Sequence, residues 1–198
     1  MLIPKSTGRR INTMTEMDKL RNMEEFWNRD DEISAAKIRA RVLCQKLNAI
    51  PVDDTDAVMA AAKELFGSVG KDLCLKPPIQ CDFGFNIHLG ESVLINFNCV
   101  FLDAAPITIG DNCFIGPMTG MYTVSHPVDP ERRNEGYVYG RPITLKENVW
   151  VGGGCTFLPG VTVGKNVIVG AGSVVTKDIP DNVIVVGNPA KIIRTIDL

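Results

Sequence analysis

The sequence predicts a mainly β protein in which short strands form a triangular parallel coil, preceded by a small helical region. An aliphatic or aromatic residue recurs every six positions over much of the chain, and glycine often follows it directly. A period of six is three times the two-residue period of a strand and does not fit the 3.6-residue period of a helix. The N-terminal third lacks this repeat and has the apolar spacing of amphipathic helices instead.

Residues 1–16 are expected to form a flexible tail. The first 15 contain Lys5, Arg9 and Arg10 and no acidic residue. They lack the apolar core of about 7–15 residues that a secretory signal requires.

Residues 17–76 are expected to form the helical region, with helices over residues 17–28, 33–48 and 55–66. In the second helix, apolar residues including Ile33, Val42 and Leu47 mark one face. In the third, Asp54 or Thr55 serves as N-cap and Gly67 ends the helix.

Residues 77–190 are expected to form the coil, which opens at Pro77-Pro78. The recurring residues lie in one block of six and two blocks of three, twelve in all, which makes about four three-sided turns. They are Leu89, Ile95, Phe101, Ile109, Ile115, Met121, Leu145, Val151, Phe157, Val163, Val169 and Val175. A smaller residue four positions after each one also points inward, where a corner narrows the space. Residues 103–108 and a protruding loop, 122–144, interrupt the repeat, and residues 191–198 form a C-terminal tail too short to classify.

Composition excludes several classes of partner. The net charge of −2 implies no general attraction to nucleic acid or to an anionic membrane. No apolar run approaches the ~20 residues of a membrane span. The six cysteines follow no metal-binding or disulfide spacing. They are therefore expected to be reduced thiols in a cytoplasmic protein, with Cys99, Cys113 and Cys155 as small core residues.

The chain resembles the hexapeptide-repeat acyltransferases, and within them the maltose and galactoside O-acetyltransferase group. The resemblance is carried by CDFGFNIHLGE at 81–91, NFNCVFLD at 96–103, ITIGDNCFIGP at 107–117, SHPVDPERRNEG at 125–136, and residues 142–193, which include GSVVTKDIPDNVIVVGNPA. It implies a left-handed parallel β-helix, that is, a hexapeptide-repeat prism. It also implies a homotrimer with active sites between neighbouring prisms, and transfer of acetyl from acetyl-CoA to a sugar hydroxyl, with no metal.

Such a transfer needs a base near the attacking hydroxyl, and histidine is the side chain poised for this near neutral pH. The chain has two histidines, His88 and His126. His88 precedes a recurring residue and should point outward as an ordinary packed or surface side chain. His126 lies in the long loop, where the resemblance places the family's catalytic histidine. His126 is therefore the expected general base, the alternative being a solvent-exposed loop histidine.

Four further residues match family positions that contact the transition state or the acceptor. Asn96 matches an asparagine that stabilises the oxyanion. Asp82 and Asp103 match acceptor-contact positions, where carboxylates can accept hydrogen bonds from vicinal hydroxyls. An N-terminal acidic acceptor contact of the galactoside branch aligns near Asn28, and a second Asp of that branch is replaced by Ala104. These two departures favour the maltose-like branch. Turn residues without a role in binding are the alternative for these positions.

The chain has no glycine-rich phosphate loop, so CoA is expected to bind as in the family, along the cleft between prisms. The matching positions are Trp150, Gly153, Ala171, Thr176, Lys177, Lys191 and Arg194. The three basic residues can neutralise phosphates, and Gly153 stands where relatives often carry Ser, so it offers only its backbone.

Three other functions stay open at this point. A γ-type carbonic anhydrase shares the prism but needs three zinc-binding histidines, and the chain has two. Another hexapeptide acyltransferase could act on an antibiotic, a serine or an amino sugar. A trimeric binding scaffold without enzymatic activity is the alternative of a different class.

Overall fold

The computed structural model describes residues 14–197. It contains four helices in this range: α1 (Glu16–Arg21), α2 (Asp31–Asn48), α3 (Thr55–Leu65) and α4 (Pro130–Glu135). Asp30 and Asp54 accept hydrogen bonds from backbone N–H groups at the starts of α2 and α3. Such caps satisfy donors that a helix leaves free. The predicted second and third helices are thus confirmed.

The predicted first helix, 17–28, is wrong beyond Arg21. Met23 has a φ of 58°, which ends the helical path, and Phe26–Trp27 form a strand. That strand pairs antiparallel with Tyr137 and Val138. Of the expected N-terminal tail, residues 1–13 lie outside the described residues. Thr15 belongs to the helix, because its hydroxyl caps α1.

The strands are short, mostly of two to four residues. The first half comprises β1 (Phe26–Trp27), β2 (Ser68–Val69), β3 (Cys74–Leu75), β4 (Ile79–Cys81), β5 (Ile87–Leu89), β6 (Leu94–Ile95), β7 (Cys99–Leu102), β8 (Ile107–Ile109), β9 (Phe114–Ile115) and β10 (Gly120–Tyr122). The second half comprises β11 (Val124–Ser125), β12 (Tyr137–Gly140), β13 (Ile143–Leu145), β14 (Trp150–Val151), β15 (Thr156–Phe157), β16 (Thr162–Val163), β17 (Ile168–Val169), β18 (Val174–Val175), β19 (Val183–Val186) and β20 (Lys191–Thr195).

Most of these strands build a three-sided prism of stacked rungs. Face 1 contains β2, β5, β8, β13 and β16. Face 2 contains β3, β6, β9, β14, β17 and β19. Face 3 contains β4, β7, β10, β15 and β18. The chain visits the faces in this order on each turn, and strands within a face are parallel. Edge 2/3 denotes the corner where the chain passes from face 2 to face 3, and edge 3/1 the corner from face 3 to face 1.

The register follows the predicted repeat. Val151 pairs with Val169 and Phe157 with Val175, in each case three six-residue repeats later. All twelve predicted recurring residues are buried. So are Cys99, Cys113 and Cys155, which confirms their expected place as small core residues. The interior of the prism is therefore a column of apolar side chains, continuous with the buried faces of α2 and α3.

The prism has more rungs than the four turns expected, because it starts before Pro77 and ends after Val175. Val69, Leu75 and Cys81 continue the six-residue spacing toward the N-terminus, within β2, β3 and β4. At the other end, β19 adds a rung to face 2, and β20 pairs antiparallel with β19. The C-terminal segment, expected to be an unclassified tail, thus forms a strand up to Thr195.

A second, smaller core ties the N-terminal helices to the protruding segment. Phe26, Phe83, Ala104 and Val138 are buried in it together with residues of α1 and α2. No helix within residues 14–197 is long and apolar enough to cross a membrane.

Candidate active site

His126 lies directly after β11, on a segment that has more structure than expected. The sequence suggested a structureless loop over residues 122–144, but β11 and β12 form an antiparallel hairpin with α4 between them. Strand β1 adds to this hairpin, giving a three-stranded sheet in the order β1-β12-β11. The exposed imidazole of His126 therefore extends from an ordered strand.

The main chain after His126 is held by side chains of α4. The Arg133 guanidinium donates hydrogen bonds of 3.1 Å to the carbonyls of Pro127 and Val128. Asp129 caps the N-terminus of α4, and Arg132 forms a salt bridge with Glu25. These contacts restrict the path of the backbone on which the imidazole is carried.

The three expected acceptor contacts gather at edge 3/1, where the hairpin leaves the prism. Asp82 follows β4 and Asp103 follows β7, which are neighbours on face 3. Asn28 follows β1, and its backbone N–H donates to the carbonyl of Gly136 at 3.0 Å. The structure therefore brings Asn28, Asp82 and Asp103 to the corner that carries His126.

Asp103, which was expected to contact the acceptor, is fully buried. It is 0% exposed, and its Oδ1 accepts hydrogen bonds from the backbone N–H groups of Asp82 at 3.0 Å and Phe83 at 2.8 Å. Its Oδ2 is buried without a hydrogen-bond partner among residues 14–197. Burial raises the pKa of Asp103 to about 6, although these N–H donors act in the opposite direction. In this conformation Asp103 shapes the corner and supports the main chain of Asp82.

A different set of expected residues lies along edge 2/3. Asn96 follows β6, Gly153 follows β14 and Ala171 follows β17, strands that lie in the order β17-β14-β9-β6 on face 2. With rungs ~4.8 Å apart, Gly153 lies about 10 Å and Ala171 about 14 Å along the edge from Asn96. Two expected CoA contacts and the expected oxyanion donor are thus aligned parallel to the prism axis.

The Asn96 side chain is oriented by its own turn. Its Oδ1 accepts a hydrogen bond of 2.9 Å from the backbone N–H of Phe97. This leaves the Nδ2 amide as the end that can donate to a bound group.

The remaining expected CoA contacts lie toward the C-terminal rungs. Thr176, Lys177 and Lys191 line a cleft of about 320 Å³ beside β18 and β20. Arg194 lies on β20 opposite Ile184. Trp150 lines a separate cleft of about 420 Å³ on face 2. The expected CoA contacts therefore lie at three places on the prism: edge 2/3, face 2 and the C-terminal rungs.

Within one chain, His126 and Asn96 belong to different edges. His126 extends from the hairpin at edge 3/1, whereas Asn96 lies in a turn of edge 2/3, on the other side of face 3. One chain alone therefore does not bring the two residues together.

Comparison with known proteins identifies the family. Residues 142–177 match the family described as bacterial transferase hexapeptide (six repeats), residues 24–70 the maltose acetyltransferase hexapeptide capping motif, and residues 106–121 the hexapeptide repeat of succinyl-transferase. Galactoside O-acetyltransferase from Escherichia coli K12 is 36% identical over 93% of this chain and 91% of its own length. The chain belongs to the hexapeptide-repeat acetyltransferases.

Solved structures of this family have the same fold. A maltose O-acetyltransferase from Clostridium difficile 630 is 41% identical with a TM-score of 0.92, over 94% of this chain and 100% of that one. A hexapeptide-repeat acetyltransferase from Vibrio cholerae, solved with acetyl-CoA, is 39% identical with a TM-score of 0.86, over 93% of this chain and 100% of that one. The predicted fold class, a left-handed parallel β-helix with a small helical region, is confirmed.

The faces of this hexapeptide-repeat acetyltransferase differ in the side chains that they present outward. On face 1 the outward ladder is polar: Ser68, His88, Thr108, Thr144 and Thr162. On face 2 it is apolar over six rungs: Cys74, Leu94, Phe114, Trp150, Ile168 and Ile184. Phe114 is 52% and Trp150 55% exposed. An apolar surface of this extent is typical of an interaction site.

Lys37 is a candidate site residue that the sequence reasoning missed. Its ammonium donates a hydrogen bond of 2.6 Å to Asn28 Oδ1 and lies 5.2 Å from the centre of the Phe83 ring. Burial lowers the pKa of Lys37, while the charges of Asp82 and Asp103 act to raise it. The sequence could have indicated Lys37 through its spacing from Ile33 and Ala40, because this spacing places the three residues on one face of α2.

Among the described residues, no group of three or more His, Cys, Asp or Glu side chains is placed to hold a metal ion. The cysteines within this range, which are all six of the chain, are free.

Proposed function

We propose that this protein transfers the acetyl group of acetyl-CoA to a hydroxyl group of a sugar. The observation that carries the proposal is the alignment of Asn96, Gly153 and Ala171 on edge 2/3. This edge offers an extended molecule a row of backbone groups that ends at a side-chain amide. The relatives named above include enzymes of maltose and galactoside O-acetylation and one solved with acetyl-CoA, which supports the same reaction.

In the proposed mechanism, His126 acts as general base. Its imidazole takes the proton of the acceptor hydroxyl while the oxygen attacks the thioester carbonyl carbon. The Nδ2 amide of Asn96 donates to the carbonyl oxygen as negative charge develops there. The C–S bond then breaks, and the imidazolium returns the proton to the leaving thiolate. The products are the O-acetylated sugar and CoA.

The CoA portion is proposed to run from Asn96 along edge 2/3 toward the C-terminal rungs. The backbones of Gly153 and Ala171 would bond its pantetheine arm. Lys177, Lys191 and Arg194 carry positive charge that can neutralise its phosphates. Trp150 and Thr176 would contribute further contacts.

The acceptor is proposed to bind at edge 3/1, against Asn28 and Asp82. Asp82 is half-buried beside the hairpin of His126, and its carboxylate can accept hydrogen bonds from sugar hydroxyls. Asp103 would act indirectly, by holding the main chain of Asp82 in place.

The active enzyme is proposed to be a homotrimer in which each site is shared by two chains. Two observations support this assembly. His126 and Asn96 lie at different edges of one prism, so a neighbouring chain must supply the second residue. The middle of the apolar ladder of face 2, where Phe114 and Trp150 are exposed, would be covered by packing against another copy, which leaves Cys74 at the first rung open.

A panel of acceptors tests the proposal. Maltose, glucosides, galactosides and free monosaccharides would each be incubated with acetyl-CoA, and released thiol would be measured. We expect acceptor-dependent thiol release with at least one sugar. Thiol release with only an antibiotic, serine or an amino sugar would show that the acceptor belongs to one of those classes instead. A protein that neither binds nor turns over acetyl-CoA would be a scaffold.

A further inference from the structure

An apolar cleft of about 450 Å³ lies between the start of α3 and the first rungs of the prism. Its walls include Val52, Val58, Leu73, Leu75, Pro77 and Phe97. Val52 is 92% and Phe97 47% exposed, so apolar groups in this cleft face water. Clefts of this volume and lining are typical of small-molecule sites.

The cleft continues edge 2/3 beyond Asn96. Lys76 and Pro77 follow β3, one rung before the turn that holds Asn96, and the N–H of Lys76 donates to the carbonyl of Ile95 at 2.9 Å. Phe97, the residue after Asn96, forms part of the cleft wall. Along this edge the order is therefore Ala171, Gly153, Asn96 and then the cleft.

We propose that the cleft binds the alkyl chain of acyl-CoA donors longer than acetyl-CoA, an inference that rests on the proposed function. If the CoA portion extends from Asn96 toward Gly153, the acyl chain leaves the carbonyl carbon on the other side, toward Phe97. The reaction is unchanged: the hydroxyl oxygen bonds to the carbonyl carbon, the C–S bond breaks, and the proton passes to the thiolate. The products are a longer-chain sugar ester and CoA.

An acyl chain fits the position of the cleft better than an apolar group of the acceptor. The polar residues proposed for the acceptor, Asn28 and Asp82, lie at edge 3/1, so the acceptor approaches from the opposite side of the carbonyl. The cleft adjoins the turn of Asn96 itself. Each methylene buried there should strengthen donor binding about fourfold.

The thiol of Cys74 provides a direct probe of occupancy. Cys74 lines the cleft and is exposed, whereas the other five cysteines, all within the described residues, are buried. The full-length protein would be alkylated with iodoacetamide, followed by intact mass, in the presence of acetyl-CoA or hexanoyl-CoA. We expect hexanoyl-CoA to slow alkylation at Cys74 at least tenfold and acetyl-CoA less than twofold. Cys74→Ser is the control for labelling elsewhere.

Equal protection by the two donors, no protection, or a Cys74 that does not react at all would overturn the proposal. Protection by a phenyl glycoside but not by hexanoyl-CoA would assign the cleft to the acceptor, which also overturns it. This readout needs no turnover. Failure of the proposed function would appear separately, as absence of acetyl transfer to any sugar.

A cleft-filling variant supplies the kinetic test. Val52→Trp places a large ring at an exposed position of the cleft, and Ile38→Trp, at an exposed position of α2, is the matched control. With the sugar found in the panel, Val52→Trp should keep acetyl transfer within twofold and lower kcat/KM for hexanoyl-CoA at least tenfold. Equal effects on the two donors would contradict the assignment.

Discussion

The ammonium group of Lys37 donates a hydrogen bond of 2.6 Å to the side-chain oxygen of Asn28. Asn28 in turn donates its backbone N–H to the carbonyl of Gly136, which lies between α4 and β12 of the hairpin that carries His126. Helix α2, the strand β1 and the hairpin are thereby joined beside Asp82. This connection makes Lys37 a positioning residue for the proposed acceptor site.

Replacing Lys37 with methionine should weaken acceptor binding. The side chain keeps its length and loses its charged donor, a bond worth about 1.5–3 kcal/mol. We expect KM for the sugar to rise about tenfold or more, with kcat changed less than threefold. Steady-state kinetics would show this, with the exposed Lys46→Met on the same helix as control. An unchanged KM would remove Lys37 from the site.

His126→Ala should lower kcat by about 10²–10⁴-fold, since positioned general-base catalysis contributes on that order. The melting temperature should stay unchanged, because His126 is exposed. His88→Ala is the matched control. His88 lies in the polar ladder of face 1, where its Nδ1 is 3.2 Å from the Ser68 hydroxyl, and its loss should leave kcat intact. Comparable activity in both variants would exclude the mechanism.

The buried carboxyl of Asp103 should make stability fall as pH rises from 4 to 6. Its pKa is about 6 in the folded protein and 3.8 as the reference value for an unfolded chain. Between these values the unfolded chain releases the proton and the folded protein keeps it, so unfolding is favoured. The stabilisation present below pH 4 should be reduced by about 3 kcal/mol above pH 6.

The test compares urea unfolding of the wild type and Asp103→Asn across this range. The amide variant does not titrate, so the free energy of unfolding of the wild type relative to it should decrease from pH 4 to pH 6. A difference that is constant with pH, or that increases, would contradict a raised pKa of the buried Asp103 carboxyl at edge 3/1.

The apolar ladder of face 2 predicts where the proposed trimer can be broken. Phe114→Glu places a charge on this ladder and should give monomers, measured by sedimentation velocity, because burying an unpaired charge is costly. Thr108→Glu is the matched control, on the adjacent strand of the same turn but on the polar face 1. If the two variants sediment alike, face 2 is not the interface.

The buried positions of the prism could be predicted from the residue spacing alone. The twelve recurring residues are all buried, because an inward position every six residues follows directly from a three-sided coil. Val69, Leu75 and Cys81 were missed, since no glycine of the repeat type follows Leu75 or Cys81 and Pro77-Pro78 interrupts the segment.

Contacts between distant parts of the chain could not be predicted from local residue spacing. Phe26–Trp27 form a strand only because Tyr137–Val138 lie beside them. Asp103 matched an acceptor contact in sequence, yet it is buried because backbone N–H groups of the neighbouring rung bind it. Local spacing thus predicted the frame of the site, whereas tertiary packing determined which carboxylates reach its surface.

Mixed trimers test most directly whether each site combines His126 of one chain with Asn96 of another. His126→Ala and Asn96→Ala chains would be co-expressed in equal amounts with different affinity tags, and acetyl transfer by the doubly purified trimers would be compared with that of each variant alone. If neighbouring chains share the site, one of the three sites in every doubly purified trimer regains both residues, and activity returns to about a third of wild type. If mixed trimers are no more active than the separate variants, each site lies within one chain, which contradicts a site shared by two chains.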